Sequence, residues 1–218
     1  MRWFFPTLRP ALPAPLPVLA VLAALVALAP AGMVAGEADF TLQTPAMRAS
    51  SPLPAFARAG PVRSFSDSGA SAAGAWAIHE IIPEDQDFDD WTTLFAGLIE
   101  EDLSLDMRDY ITGQFAVYAR ACGSTPEMYK VFDYQGSPEA DEEQVLFTIL
   151  CPAYRDDPER GEFVVMAAHR IGNDFLRFYQ HWRGPAYDVR KPQEWPVPDA
   201  GLAAFLEVYR GHGFGPRQ

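Results

Sequence analysis

The sequence predicts an α+β protein, with a central antiparallel sheet and flanking helices, folded as a single domain over residues 76–210. Three observations carry that expectation. From Met128 to Arg183 the chain reads as successive strands parted by short turn signals, which favours antiparallel pairing over strand–helix–strand units. Helical stripes lie before and after that run and not within it. Hydrophobic residues make up 49% of the chain and charged ones 21%, a globular balance that excludes wholesale disorder, a collagen-like chain or a coiled-coil rod.

The first 36 residues read as a signal peptide. Arg2 and Arg9 are their only charges, Val18 to Ala29 is an unbroken apolar run, and Ala31, Gly32, Ala35 and Gly36 offer cleavage sites. That order of basic, apolar and small is the export pattern, so the protein is expected to be periplasmic or secreted. The alternative is an uncleaved membrane anchor, the one way this chain would meet a membrane. A spanning helix needs about 20 apolar residues, and here Pro13, Pro15, Pro17 and Pro30 bracket a shorter run. Without a cysteine the segment offers no N-terminal Cys for lipid attachment, and Arg2 and Arg9 are not adjacent as a twin-arginine signal requires. Residues 37–75 are rich in Ala, Ser, Pro and Gly, with Phe40, Phe56 and Phe65 set singly, and are expected to be a flexible linker. It is either a plain tether or one whose Phe56 and Phe65 dock on a partner.

The folded unit opens with a strand from Trp76 to Ile82, ended by Pro83, and an acidic loop over 84–90. A helix is expected from Trp91, capped by Asp89 or Asp90, because Trp91, Leu94, Phe95 and Leu98 fall at i, i+3, i+4 and i+7. Ser104 caps a second helix, Leu105 to Cys122, with Ile111, Phe115, Tyr118 and Cys122 on one face and Gly123 as its stop. Met128 to Gln135 is a strand, and Gly136-Ser137-Pro138 a turn. Glu143 to Cys151 follows, with Val145, Phe147, Ile149 and Cys151 pointing one way. Beyond a charged loop, Phe163–Ile171 and Phe175–Arg183 form a hairpin about Gly172-Asn173, where glycine at the first central position suits a type II′ turn. Asp199 caps a last helix with a Leu202, Phe205, Leu206 and Tyr209 stripe and Gly211 as its stop, leaving 211–218 as a disordered tail.

Charge and motif narrow the function. The 17 bases and 29 acids give −12, and without the two leader arginines 15 bases face the same 29 acids. A sequence-independent grip on nucleic acid needs the opposite sign, so no nucleic-acid partner is expected. The two cysteines, Cys122 and Cys151, have one intramolecular pairing, and an exported chain meets an oxidising compartment, so a disulfide is expected. The competing roles are two buried thiols or a nucleophile, and neither cysteine carries a nucleophile signature. Asp85, Asp87 and Asp89 start a calcium-loop pattern that fails at Asp90 and Ala96, where Gly and Glu belong, leaving an acidic helix start. The histidines His79, His169, His181 and His212 form no H-E-x-x-H motif, and C-x-x-C, G-x-S-x-G, P-loop and dinucleotide-glycine motifs are missing. No catalytic residue, metal or cofactor is therefore assigned.

The hairpin gives the site candidates. If Ile171 pairs with Asp174, one face carries Phe163 opposite Trp182, Ala167 opposite Phe178 and His169 opposite Leu176, a core face. The other carries Arg170, Arg177, Tyr179, His181 and Arg183. Either these groups lie on a solvated or helix-covered face and pair with the chain's own acids, or their guanidinium forks form a site for a small anionic ligand or an acidic protein partner.

Ile82-Pro83, Trp91, Cys122, Cys151 and the strand from Gly161-Glu162 to Trp182-Arg183 together resemble a group of small secreted proteobacterial proteins of unknown function. The order of elements is similar to the PsbP/Mog1-like sandwich, which implies a central antiparallel sheet in an α+β fold and supplies no catalytic residues. The expected function is an exported, non-enzymatic binding or accessory module. The alternative is a hydrolase with dispersed catalytic residues, drawn from His181, His79 and the Asp85–Asp90 loop.

Overall fold

Two antiparallel sheets and three helices build the protein, seen in a computed structural model that describes residues 39–71, 74–123, 126–127, 131–136 and 141–216. All of these belong to one compact unit, 38–218. The signal peptide expected over 1–36 lies outside the described residues.

The strands in chain order are β1 (Asp39–Gln43), β2 (Met47–Pro52), β3 (Val62–Ser71), β4 (Gly74–Pro83), β5 (Thr93–Glu100), β6 (Val131–Gln135), β7 (Glu142–Cys151), β8 (Arg160–Ile171), β9 (Asp174–Pro185) and β10 (Gly213–Pro216). The helices are α1 (Ala55–Ala59), α2 (Met107–Ala121) and α3 (Asp199–Tyr209). Seven strands form the larger sheet in the order β3-β4-β5-β9-β8-β7-β6, and β1-β2-β10 form the smaller one. After the β3-β4-β5 meander, α2 carries the chain across to the β6 edge. The strands then return, one neighbour at a time, until β9 closes against β5. The protein is thus mainly β, with the expected antiparallel sheet and flanking helices but far more strand than helix.

Both faces of the large sheet are buried. On one, the small sheet and α3 enclose Phe40, Phe95, Phe163, Phe178, Trp182 and Phe205. On the other, Met107 and Tyr110 of α2 join Trp91, Leu94, Phe147, Met166 and Phe175. Fully burying side chains of this size stabilises by about 1.5–3 kcal/mol each.

Double burial explains the main correction to the sequence reading. Residues 93–100 form β5 in the middle of the sheet, not a helix. A strand covered on both faces is apolar at nearly every position, so a helical spacing can be picked out of it. Gly97 belongs to this strand for a steric reason: a Cβ there would sit 2.9 Å from Phe178 and 3.0 Å from Phe40 and Leu42. The acidic residues before it form a turn, with Asp87 bridged to Asp90, rather than a helix cap.

Two further expectations are overturned. Within the expected linker of 37–75, the described residues are not a tether: 39–71 carry β1, β2, α1 and β3, and 74–75 open β4. Phe40 and Leu42, then Met47 and Ala49, alternate inward at a period of two. Thr44 and the Ala46 amide anchor the intervening turn on the Glu101 carboxylate. Phe56 packs on the core between the sheets, while Phe65 is exposed, its ring 6.1 Å from Phe88. The tail of 211–218 is not disordered over 213–216, which add β10 to the edge of β2.

Elsewhere the reading holds with shifted ends. Helix α2 starts at Met107, because Asp106 rather than Ser104 is the cap, its carboxylate accepting from the Asp109 amide at 2.7 Å. Helix α3 starts at Asp199 itself after Pro198. The expected turn at 136–138 falls largely outside the described residues. The hairpin register is as expected, from Ile171↔Asp174 to Phe163↔Trp182, with Gly172 at φ +59°.

Cys122 and Cys151 are joined in a disulfide that fastens the end of α2 to the end of β7. Around it the Gly123 amide donates to the Ala153 carbonyl, and the Arg155 amide to the Ala121 carbonyl, both at 2.8 Å. Closing a loop of this separation stabilises a fold by about 3–4 kcal/mol on the chain-entropy model. A Cys122→Ala/Cys151→Ala variant should lose that much unfolding free energy in a denaturant titration, matching wild type under reductant. Denatured, unreduced wild type should show no free thiol.

Candidate functional site

The row of candidates on β9 is set by strand alternation. Phe175, Arg177, Tyr179, His181 and Arg183 all face α2, with Glu162, Val164, Met166, Ala168 and Arg170 beside them on β8. Small neighbours make room: Ala168 flanks Arg177 on β8, and Ala96 separates Tyr179 from Glu80 across β5.

The row is a closed charge network. Arg177 is 4% exposed, with its guanidinium carbon 5.9 Å from the centre of the Tyr110 ring and 5.6 Å from that of Tyr179. The Tyr110 hydroxyl donates to Glu100 at 2.7 Å. Burial opposes charge on Arg177, yet the Tyr110, Glu100 and Tyr179 groups around it hold its pKa above the ordinary value. Burial keeps the Tyr110, Tyr118 and Tyr179 hydroxyls neutral, and it raises the Glu80 pKa against the pull of His181 and Arg177.

A second segment runs along the same row. His181 Nδ1 is paired with the Glu162 carboxylate, and its Nε2 lies 3.4 Å from the Tyr118 hydroxyl of α2. Tyr154 donates to the other Glu162 oxygen, and Arg183 Nε donates to the Tyr154 hydroxyl at 3.1 Å. Burial works against the Glu162 carboxylate, but His181, Arg183 and Tyr154 outweigh it and hold its pKa below normal. The Arg183 guanidinium lies 3.8 Å over the Trp91 ring.

The structure therefore brings Arg177, Tyr179, His181 and Arg183 together, but beneath α2 rather than on an open face. Arg170 stands apart, held by Glu143 at 2.7 Å with both side chains nearly buried. Sequence reasoning missed Glu162, which the hairpin register, extended by one pair, sets opposite Arg183. It also missed Glu80, Glu100, Tyr110 and Tyr154, which only the tertiary fold brings in. The histidines named for a hydrolase are divided by the sheet. His181 faces α2, whereas His79 faces the small sheet, edge-on to Phe40 with its Nδ1 2.7 Å from the Ser66 hydroxyl. The Asp85–Asp90 loop engages Arg63 through Asp87 and Arg160 through Asp90.

Open space lies on the other face. A cavity of about 650 Å³ is walled by Asp133 and Gln135 of β6, Gln144 and Leu146 of β7, and His169 of β8. Leu206 and Tyr209 of α3, with Arg210 and His212 after it, complete the wall. The face expected to be core is filled at Phe163 and Trp182 and hollow here. Gln144 donates to the Tyr209 hydroxyl, and Gln135 to Asp133 at 2.9 Å. Among the described residues, His169 Nε2 and both His212 nitrogens are buried without a hydrogen-bond partner. Such groups cost about 1–3 kcal/mol each when left unsatisfied. Burial holds the His169 pKa at about 4, and burial together with His169 holds His212 at about 3, so both imidazoles are neutral near pH 7. A smaller cavity of about 340 Å³ lies by Thr41, Ser66 and His79.

Among the described residues, no group of three or more His, Cys, Asp or Glu is placed to hold a metal ion, and no helix is long and apolar enough to cross a membrane. In comparison with known proteins, no family model matches the chain and no curated protein matches it.

Two predictions follow from burial. Arg177→Ala should cost about 3–5 kcal/mol, because it strips one charge from a buried network and leaves its acids unpaired. Arg183→Ala, which loses a ring stack and one hydrogen bond, should cost about 1–2 kcal/mol. Urea titrations of both variants check the ranking, and equal losses would refute the closed network. Stability should also fall with pH. Below pH 6.5 the unfolded chain protonates His169 and His212, while the folded protein does not until about pH 4 and 3. The unfolded state then binds more protons, so stability declines through that window. In urea titrations at pH 7 and 5, a His169→Gln/His212→Gln variant should show a shallower loss. Some loss remains because burial also lowers the His79 pKa.

Proposed function

We propose that the protein is an exported, non-enzymatic binding module, periplasmic or secreted, that takes a small molecule into the cavity between β6–β8 and α3. The observation that carries this reading is the cavity itself: about 650 Å³, walled by the polar residues Asp133, Gln144, Tyr209 and Arg210 among others. That volume lies within the range of small-molecule sites, where a few converging polar groups fix orientation. Export rests on the basic, apolar and small order of residues 1–36, and the Cys122–Cys151 disulfide is in keeping with an oxidising compartment. Resemblance to small secreted proteobacterial proteins points the same way.

An anionic ligand or an acidic protein partner at the arginine face would meet chiefly Arg183, the partly exposed member of a row otherwise buried under α2. The hydrolase alternative keeps one supporting observation, the Ser66–His79 contact beside the smaller cavity. No carboxylate is bonded to His79 among the described residues to orient its ring as a general base.

The test is mass spectrometry of small molecules carried by the disulfide-intact protein purified from its exporting host. Wild type should retain a compound that a cavity-filling Gln135→Trp variant of unchanged melting temperature does not. Identical extracts from the two would overturn the reading.

A further inference from the structure

Strand β3 is the outer strand of the large sheet, and among the described residues it pairs with β4 alone. Every residue from Arg63 to Ser68 is exposed, Phe65 at 46%. An edge of this kind presents a row of unpaired amides and carbonyls, which proteins commonly blunt with a lysine, an internal proline or a bulge. The ten residues of β3 contain none of these.

The direction of those backbone groups follows from one bond. The Glu84 amide donates to the Pro61 carbonyl at 3.2 Å, in register with the β3–β4 ladder. Alternate residues of an antiparallel strand bond to the same side. Arg63, Phe65, Asp67 and Gly69 therefore turn their backbone groups to β4, as Pro61 does, while Val62, Ser64, Ser66 and Ser68 turn theirs outward. The Ser68 amide agrees with this, since it donates to Asp67 Oδ1 at 2.8 Å. Pro61, facing β4, does not interrupt the outward row.

A second copy arriving antiparallel must pair even-numbered residues with even-numbered ones. A two-fold axis at Phe65 does so, setting Ser64 opposite Ser66 and Val62 opposite Ser68. It also sets Arg63 opposite Asp67 on both sides of the axis, and Phe65 opposite its own copy, each ring backed by Phe88 at 6.1 Å. Pro61 meets Gly69, over which the exposed Trp76 indole lies. A slip of two residues either way puts Arg63 opposite Phe65 or Gly69 and forfeits both charge pairs. The chain is strongly acidic, yet β3 holds one cation and one anion and matches itself in this register.

We propose that β3 is a self-association edge, to which a second copy of this chain adds its own β3 antiparallel about Phe65, joining the two large sheets into one. The inference is independent of the cavity and of any ligand held there.

The experiment is sedimentation equilibrium of the disulfide-intact protein at concentrations up to about 500 μM. Wild type should show a monomer–dimer equilibrium with a Kd of roughly 10–100 μM, since one strand pair is smaller than a standard interface. Arg63→Asp and Asp67→Arg should each weaken self-association at least tenfold. Mixed together, the two variants should form a heterodimer about as tight as the wild-type dimer, because every aspartate then faces an arginine. Ser64→Pro deletes one outward amide and spares the β4 ladder, so it should weaken the dimer at least tenfold at an unchanged melting temperature. A wild type that stays monomeric throughout, a dimer untouched by these substitutions, or a mixture that yields no heterodimer overturns the proposal.

Discussion

The Arg177 guanidinium is the group around which half of this fold is arranged. An isolated charge at that depth is too costly to keep, and it is tolerated only because tyrosines and glutamates converge on it from three directions. Tyr110 comes from α2, Tyr179 from the same strand, and Glu100 from the end of β5. Helix α2 is therefore more than an apolar cover. It supplies the hydroxyls that let a charged row lie under it, and the disulfide at its end holds it in place.

The two faces of the large sheet consequently have different characters. The α2 face is polar at its centre and closed, with every candidate except Arg170 absorbed into one network. The opposite face is apolar beneath the small sheet and open beyond it, where α3 meets β6–β8. Charge clusters attract attention in a sequence, yet here they serve cohesion. Among the described residues, the buried groups left without protein partners there include Thr148 Oγ1 and ring nitrogens of His169 and His212.

How much of this was legible depends on the range of the determining contacts. The β8–β9 hairpin could be read to the residue, because Gly172 at φ +59° and strand alternation are local matters. The pairing of Cys122 with Cys151 was legible by count. Strand β5 was misread because burial on both faces erases the alternation that identifies a strand. Strand β2 was missed because serine and alanine fill positions whose burial is decided by the sheet they pack on, Ser51 being fully buried. The shared face of the arginine row follows from the hairpin register, but nothing on β9 announces that α2 lies over it. The cavity was invisible for the same reason, since its walls come from four separate elements.

The smaller sheet joins the first two strands of the fold to the last, with β2 between β1 and β10. A chain made from its amino end delivers β2 long before the neighbour that completes its hydrogen bonding. Until β10 arrives, one edge of β2 stays open to any other extended peptide. Assembly of this half of the molecule is thus a closing step rather than a nucleus. Its final four-residue clasp decides whether that edge is sealed from within or shared with another copy.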